Sequence, residues 1–187
     1  MKPVLLVFMG GQGSGKGTFA KLFLKQHNYK YIETGAILRD MPEESELRKK
    51  MARGELVSDN DLFPIVSEQL ATSNDVVLDG FPRTLAQAQW LIDNYVDKFD
   101  IQVIYLNISE QAMLSRIQKR LNMGENRKDD TDETAIQKRI AAFKTSTMPA
   151  IEWLRNIPNI KFFDIPLPGD DIDINFALIL KTMGQSK

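Results

Sequence analysis

Two kinds of hydrophobic pattern alternate along the chain. The uninterrupted apolar run at residues 4–9, the VVL centre of residues 75–80 and the largely apolar run at 101–106 are typical of strands that are buried on both faces, and shorter runs at 29–33 and 161–164 predict two more strands, the last one near a sheet edge. Between these runs, apolar residues recur every three or four positions, which predicts helices. Strands and helices therefore alternate, and the pattern predicts a three-layer α/β fold in which a parallel five-stranded sheet has helices on both faces.

Capping residues and a proline predict where individual helices begin. Thr34 is a candidate cap for the helix that follows the strand at 29–33. Pro64 fits only in the first turn of a helix, which places the cap of that helix near Asn60 or Asp61. Further helices are predicted at 85–95, at 109–121 and from near residue 131, and the charged segment 42–54 predicts a small peripheral helical lobe.

A glycine-rich loop at residues 10–18, with the sequence GGQGSGKGT, separates the first predicted strand from the first predicted helix. Glycines let such a loop turn tightly and point backbone N–H groups at a bound phosphate, and the helix N-terminus adds a positive partial charge. The spacing from Gly10 to Lys16 fits a P-loop, although Gly17 separates Lys16 from Thr18. The alternative is a strand-to-helix turn that binds nothing.

Composition limits the classes of protein that the chain can belong to. Its 187 residues are enough for one well-buried domain, and we expect a single domain over 1–187. The net charge of -1 gives no broad basic surface, so we expect no nucleic-acid partner and no membrane partner. The absence of cysteine excludes disulfides and thiolate zinc sites. No segment has the length of a membrane span, and we expect a soluble cytoplasmic protein.

Polar and charged residues that could bind a ligand follow the predicted strands. Ligands of open α/β sheets bind outside the carboxyl ends of the strands, so these residues are expected to converge on one edge. Guanidinium groups suit phosphate binding, whereas the alternative for each arginine is a solvated charge on a helix face. Asp79 ends a buried strand, where a carboxylate can cap the turn that follows. The residues that we single out are Thr34, Gly35, Arg39, Asp79, Gly80, Arg83, Gln87, Arg116, Arg120, Arg127 and Arg139.

Four motifs occur in order along the chain: the loop at 10–18, TGAILR at 34–39, LDGFPRTLAQ at 78–87, and RKDD at 127–130 followed by Arg139. Together they resemble the motifs of adenylate kinases with a short lid, which are P-loop nucleoside monophosphate kinases. The resemblance implies reversible transfer of the γ-phosphoryl group of ATP to AMP with Mg²⁺, by a monomer. It also implies an acceptor-binding lobe at about 34–60 and a lid at about 121–130 that is too short to hold zinc.

The resemblance implies a role for each matching residue. ATP would be bound by Gly11, Gln12, Gly13, Ser14, Gly15, Lys16, Gly17 and Thr18, with Arg116 packed on the adenine and Arg120 near the phosphates. AMP would be bound by Thr34, Gly35, Arg39, Leu56, Val57, Gly80, Arg83, Gln87, Arg127 and Arg139, with Thr34 and Gln87 recognising the base. The catalytic residues would be Lys16, Arg83, Arg120, Arg127 and Arg139, and Asp79 would organise Mg²⁺ through bound water.

The chain also departs from the family pattern in places that leave two alternatives open. Ala36 stands where an acid is usual, Gln12 replaces a common loop proline, and the acceptor lobe is several residues shorter than usual. The nearest alternative is a UMP/CMP kinase, although Thr34, Thr84 and Gln87 favour AMP as the acceptor. The other alternative is a non-catalytic nucleotide-binding protein on the same scaffold.

Overall fold

The computed structural model describes residues 1–53, 55–72, 74–123 and 133–185. Its centre is a five-stranded sheet in the order β2-β3-β1-β4-β5, and all four strand pairings are parallel. This confirms the predicted sheet, including the edge position of the last strand. The strands are β1 (Val4–Met9), β2 (Lys30–Glu33), β3 (Val76–Asp79), β4 (Asp100–Asn107) and β5 (Lys161–Pro166).

The central strand is buried on both faces, as its uninterrupted apolar sequence predicts. Leu5 and Val7 belong to the core cluster on one side of the sheet, and Leu6 and Phe8 belong to the cluster on the other side. Successive side chains of a strand point to opposite faces, so each layer of helices receives every second residue. Each of these four side chains is at most 1% exposed.

Helices cover both faces of the sheet and form the two outer layers. Residues of α1 (Lys16–Leu24) and α9 (Ile172–Thr182) pack into the cluster around Leu6 and Phe8. The opposite cluster is covered by α2 (Thr34–Arg39), α4 (Asp59–Leu70), α5 (Leu85–Tyr95) and α8 (Met148–Arg155). The remaining helices are α3 (Glu46–Ala52), which has no buried residue, and α6 (Glu110–Asn122) and α7 (Glu133–Ala142), which pack on each other through Ile117, Ile136 and Ile140.

Two helix starts differ from those expected. Thr34 is the first residue of α2 and not its cap, because the cap position falls on Glu33 and the Thr34 hydroxyl donates to the Asp79 carbonyl (3.4 Å). The helix α4 begins at Asp59 after Ser58 as its cap, so Pro64 lies beyond the first turn. A proline there removes one helical hydrogen bond, and burial of Leu62, Val66 and Leu70 compensates for that loss.

A π-helical turn at Phe143–Thr147 joins α7 to α8. Pro149, in the first turn of α8, lacks the N–H that would continue an α-helical ladder, and its ring would collide with the carbonyl of residue 145. A π turn, in which the hydrogen bonds span one residue more than in an α-helix, avoids that collision. The predicted long helix from near residue 131 therefore changes geometry in its middle, and its described part begins at Glu133.

The peripheral helix α3 lies within the charged segment 42–54, for which the sequence predicts helical structure. Leu47 and Met51, on α3, pack partly against the main core, and no residue of α3 is fully buried. The predicted division into a lobe at 34–60 and a lid at 121–130 stays a prediction, because residues 124–132 lie outside the described part. Across the four described ranges, no helix combines the length and the apolar character that crossing a membrane requires.

Candidate active site

A cleft of about 270 Å³ opens at the carboxyl ends of β1, β2 and β3. The loop after β1, the start of α2, the turn after β3, α6 and the junction of α7 with the π turn form its walls. Positive charge predominates among the side chains that line it, which suits a polyanion such as a nucleotide phosphate chain. The lining cations are Lys16, Arg39, Arg83, Arg116, Arg120 and Arg139, and the lining acids are Glu33, Glu55 and Asp79.

The glycine-rich loop wraps around the Lys16 ammonium group. Lys16 Nζ donates to the carbonyl oxygens of Gly10 (2.7 Å) and Gly11 (3.0 Å). Gly15, at the cap position of α1, has a φ of +90°, and a Cβ atom there would lie 2.7 Å from the Phe19 ring. Only glycine satisfies both conditions at low cost. The sequence therefore places a cation and a helix N-terminus at the same point of the cleft.

Asp79 is a buried carboxylate at the end of β3. Its side chain is 6% exposed, and the Tyr31 hydroxyl lies 3.2 Å from Asp79 Oδ2 and 3.3 Å from Glu33 Oε2. Burial raises the pKa of Asp79, the positive charge of Lys16 opposes that rise, and the nearby Glu33 adds to it. Burial and the same two carboxylates raise the pKa of Tyr31, so its hydroxyl remains a proton donor to one or the other acid.

An ion pair between Glu33 and Arg39 lies inside the cleft, and the sequence analysis did not anticipate it. Arg39 Nη2 donates a hydrogen bond to Glu33 Oε1 (2.5 Å). Glu33 is paired with Asp79 in the β2–β3 ladder, so two carboxylates stand side by side at the strand ends. The signal for Glu33 was present, because it ends a predicted strand just as Asp79 does.

The turn after β3 is fixed by contacts from three directions. Arg83 Nε donates to the Gly80 carbonyl (2.8 Å), and the Thr147 hydroxyl of the π turn donates to the Arg83 carbonyl (2.9 Å). Gln87 is fully buried: its Oε1 accepts from the Arg83 backbone N–H (2.7 Å), and its Nε2 donates to Asp59 Oδ1 (2.7 Å). Gln87 thus supports the backbone that carries the Arg83 side chain.

The Arg116 guanidinium is held in one orientation at the other end of the cleft. Its Nε donates to Asp170 Oδ1 (2.9 Å), its Nη2 to the Gly169 carbonyl, and its Nη1 to the Gly13 carbonyl (3.4 Å). A neighbouring cavity of about 210 Å³ is lined by Arg116 and by apolar groups that include Ile172. A fixed planar cation beside an apolar wall offers a stacking surface to an aromatic ring.

The structure brings most of the predicted site residues to one cleft and places a few behind its wall. Those that line it are Gly11, Gln12, Gly13, Gly15, Lys16, Gly17, Thr18, Gly35, Arg39, Leu56, Asp79, Gly80, Arg83, Arg116, Arg120 and Arg139. Ser14, Thr34, Val57 and Gln87 are buried and do not line it. Arg127 lies outside the described residues. Lining residues that the sequence analysis missed include Glu33, Glu55, Phe143 and Thr147.

Comparison with known proteins agrees with this geometry. The family model described as "Adenylate kinase" matches residues 8–158, which is most of the chain. The chain belongs to the adenylate kinase family. The resemblance drawn from the four motifs is thereby confirmed, and the cleft is the candidate active site of an enzyme of this family.

Individual adenylate kinases are similar to the chain over most of their length. One from Prochlorococcus marinus (strain MIT 9301) is 35% identical over 167 residues, covering 85% of this chain and 88% of the relative. One from Thermus thermophilus is 34% identical over 154 residues, covering 78% of this chain and 80% of the relative. One from Brucella abortus (strain S19) is 32% identical over 191 residues, covering 94% and 97%.

Proposed function

We propose that this member of the adenylate kinase family transfers the γ-phosphoryl group of ATP reversibly to AMP, giving two ADP. One observation carries the proposal: a single cleft joins a P-loop to arginines from α2, the β3–α5 turn, α6 and α7. Such a cleft suits two nucleotides whose phosphate chains meet end to end between cations. The name shared by the matching family model and the relatives supports the same reaction.

The donor nucleotide occupies the half of the cleft beside the P-loop. Backbone N–H groups of residues 11–18 and the Lys16 ammonium hold the β- and γ-phosphates, because the loop already surrounds that ammonium. Arg116 packs on the adenine from its fixed position next to the apolar cavity, and Arg120 approaches the phosphates from one turn further along α6. These two arginines belong to both cavities.

The acceptor nucleotide occupies the half beside α2 and the β3–α5 turn. Arg39 and Arg83 bind its phosphate through planar guanidinium groups, and Gly35 and Gly80 allow close approach of the backbone. Backbone groups near Leu56 and Val57 and side chains of Thr34 and Gln87 recognise the base. Leu56 lines the cleft, whereas Thr34, Val57 and Gln87 lie just behind its surface.

The transfer needs positioning and cationic stabilisation and no general base. A phosphate oxygen of AMP forms a bond to the γ-phosphorus as the bond from that phosphorus to the β-phosphate oxygen breaks, which releases ADP. The attacking phosphate is already anionic at neutral pH. The attacking and leaving oxygens lie in line, and charge on the equatorial oxygens is stabilised by cations around the transferring group, for which we propose Arg120, Arg127 and Arg139 with Lys16.

Water has to be excluded from the transferring group, because ATP would otherwise be hydrolysed. We assign this task to closure of the lobe at about 34–60 and the lid at about 121–130. The sparse burial of α3 supports the first assignment, since an element with few buried contacts can move at low cost.

The cleft fits Mg²⁺ with ATP. Mg²⁺ prefers oxygen ligands and is usually bound through one or two carboxylates together with substrate phosphates and waters. Asp79 and Thr18 supply a carboxylate and a hydroxyl to the same cleft. We propose that Asp79 orients the hydrated ion, whose chemistry is to neutralise the phosphate oxygens. We also propose a cytoplasmic monomer whose partners are its two substrates.

The experiment that tests the proposal measures initial velocity with Mg-ATP against AMP, CMP, UMP, GMP and dTMP in parallel, following the nucleoside diphosphates formed. We expect strong preference for AMP. Activity concentrated on CMP and UMP would establish the pyrimidine kinase instead. Binding of ATP without turnover of any acceptor would establish the non-catalytic alternative.

A further inference from the structure

Glu33 places a negative charge inside a cleft whose other charges favour anions. Its carboxylate accepts a hydrogen bond of 2.5 Å from Arg39. Arg39 is one of the two arginines that we assign to the acceptor phosphate. The two side chains are only 20% and 32% exposed, so solvent screens this pair less than it screens the exposed pairs elsewhere on the described surface. Arg39 therefore already has an anionic partner in the absence of substrate.

The position of the Glu33 carboxylate is fixed at both of its oxygens. Oε1 accepts from Arg39, and Oε2 lies 3.3 Å from the Tyr31 hydroxyl. Glu33 is the last residue of β2, and its backbone is paired with that of Asp79 in the parallel ladder. The ion pair is thus a built part of the cleft wall, and not a surface pair that forms by chance.

A phosphate that approaches Arg39 meets this carboxylate. An AMP phosphate carries nearly two negative charges at neutral pH, so it is repelled by Glu33 and attracted by Arg39 from nearly the same place. It must either displace the carboxylate or share the guanidinium with it. In both cases the free protein holds a stabilising contact that the complex weakens, and this lowers the affinity for the acceptor.

We propose that Glu33 is a place-holder for the acceptor phosphate: its carboxylate pairs with Arg39 in the free protein and yields to the phosphate on binding. Glu33 is thus a positioning residue that sets acceptor affinity through Arg39. The inference rests on the proposed function, because it requires that Arg39 binds the AMP phosphate.

Calorimetric titration of AMP, and separately of adenosine, into the full chain and into Glu33→Gln tests the proposal. Glutamine keeps the size of the side chain and removes its charge, so AMP is expected to bind about fivefold more tightly, the upper range for a partly screened ion pair. Adenosine, which lacks the phosphate, is expected to bind equally to both proteins. Glu152→Gln is the matched control, because it removes the same charge from an exposed pair with Arg155 on α8, outside both the cleft and the proposed acceptor lobe. It should change neither affinity.

Two further variants separate the place-holder role from a general electrostatic effect and from misfolding. In an Arg39→Ala background, Glu33→Gln should give much less of its gain, because the ion pair is already absent. Glu33→Asp keeps the charge but shortens the side chain, and a smaller gain is expected. Unchanged or weaker AMP binding by a folded Glu33→Gln would overturn the inference while leaving the proposed function intact. Failure of the unmodified chain to bind AMP would overturn the proposed function itself.

Discussion

Gln87 and Arg83 are linked by a hydrogen bond of 2.7 Å, in which the Arg83 backbone N–H donates to the Gln87 side-chain oxygen. The amide nitrogen of the same side chain donates to Asp59 at the start of α4. One fully buried glutamine therefore connects the turn that carries Arg83, which we propose binds the acceptor phosphate, to the first residue of α4. The contact suggests that Gln87 acts on the acceptor's phosphate as well as on its base.

Gln87→Ala is expected to lower kcat/KM for AMP by about 100-fold, the scale seen when a supporting contact allows a reacting group to shift by about 1 Å. Because the effect passes through Arg83, UMP used as a poor acceptor should lose a similar factor. Initial velocities with both acceptors measure this. Gln102→Ala, which removes another buried glutamine on β4 outside the cleft, should leave both values unchanged. A loss confined to AMP would instead establish the base contact that the sequence predicts.

Arg120→Ala and Arg139→Ala should each lower kcat by at least about 10³-fold, since a single arginine at a transferring phosphoryl group has effects of that size. Both residues line the cleft. Arg155→Ala serves as the control, because that arginine pairs with Asp164 and Glu152 outside it. Circular dichroism should show an unchanged fold for all three. Near-normal rates for the first two variants would contradict the assignment of the catalytic arginines.

Gly15→Ala should destabilise the fold by about 1–2 kcal/mol, the cost of a left-handed backbone at a residue with a Cβ, and should also weaken ATP binding. The second effect comes from the collision with Phe19, which displaces the loop. Gly184→Ala is a matched control: φ is +71° there, and none of the residues that the structure describes comes within 4 Å of an added Cβ. Denaturant unfolding and ATP titration should show lost stability in both variants and weakened ATP binding only in Gly15→Ala.

Asp79→Asn should raise Tm near neutral pH and abolish Mg²⁺-dependent turnover. An acid whose pKa is higher in the folded protein than in the unfolded chain destabilises the fold once it is ionised. For Asp79, whose ordinary pKa is 3.8, burial raises the pKa, so the penalty is complete above the folded-state value and disappears as the pH falls below 3.8. Thermal melts across this range should therefore show the two proteins converging at acid pH. An equal or lower Tm for the variant at neutral pH would contradict the role of burial.

The features that the sequence predicts are those encoded in local patterns. Apolar runs predict the positions of the strands, because strands such as β1 are covered on both faces. The glycines of the loop at 10–18 predict its tight turns. The sequence predicts the first residues of helices less accurately. Pro64 was expected in a first turn, yet apolar burial along α4 outweighs the one hydrogen bond that the proline removes.

The features that the sequence does not predict depend on contacts between distant segments. The Thr147 hydroxyl donates to the Arg83 carbonyl, 64 positions away in the sequence. Thr147 lies on a π turn that no local motif predicts. Glu33 is adjacent to a recognised motif, but its role depends on which arginine its carboxylate meets. The burial of Gln87 likewise follows from the packing of α4 against α5.

The most direct test of the central claim follows the γ-phosphoryl group itself. Mg-ATP labelled at the γ-phosphorus is mixed with AMP and the enzyme, and the nucleotides are separated and counted. The account predicts that the label appears in newly formed ADP, that two ADP form for each ATP consumed, and that inorganic phosphate does not accumulate. Label in inorganic phosphate, or no transfer of label from ATP to ADP, would contradict it.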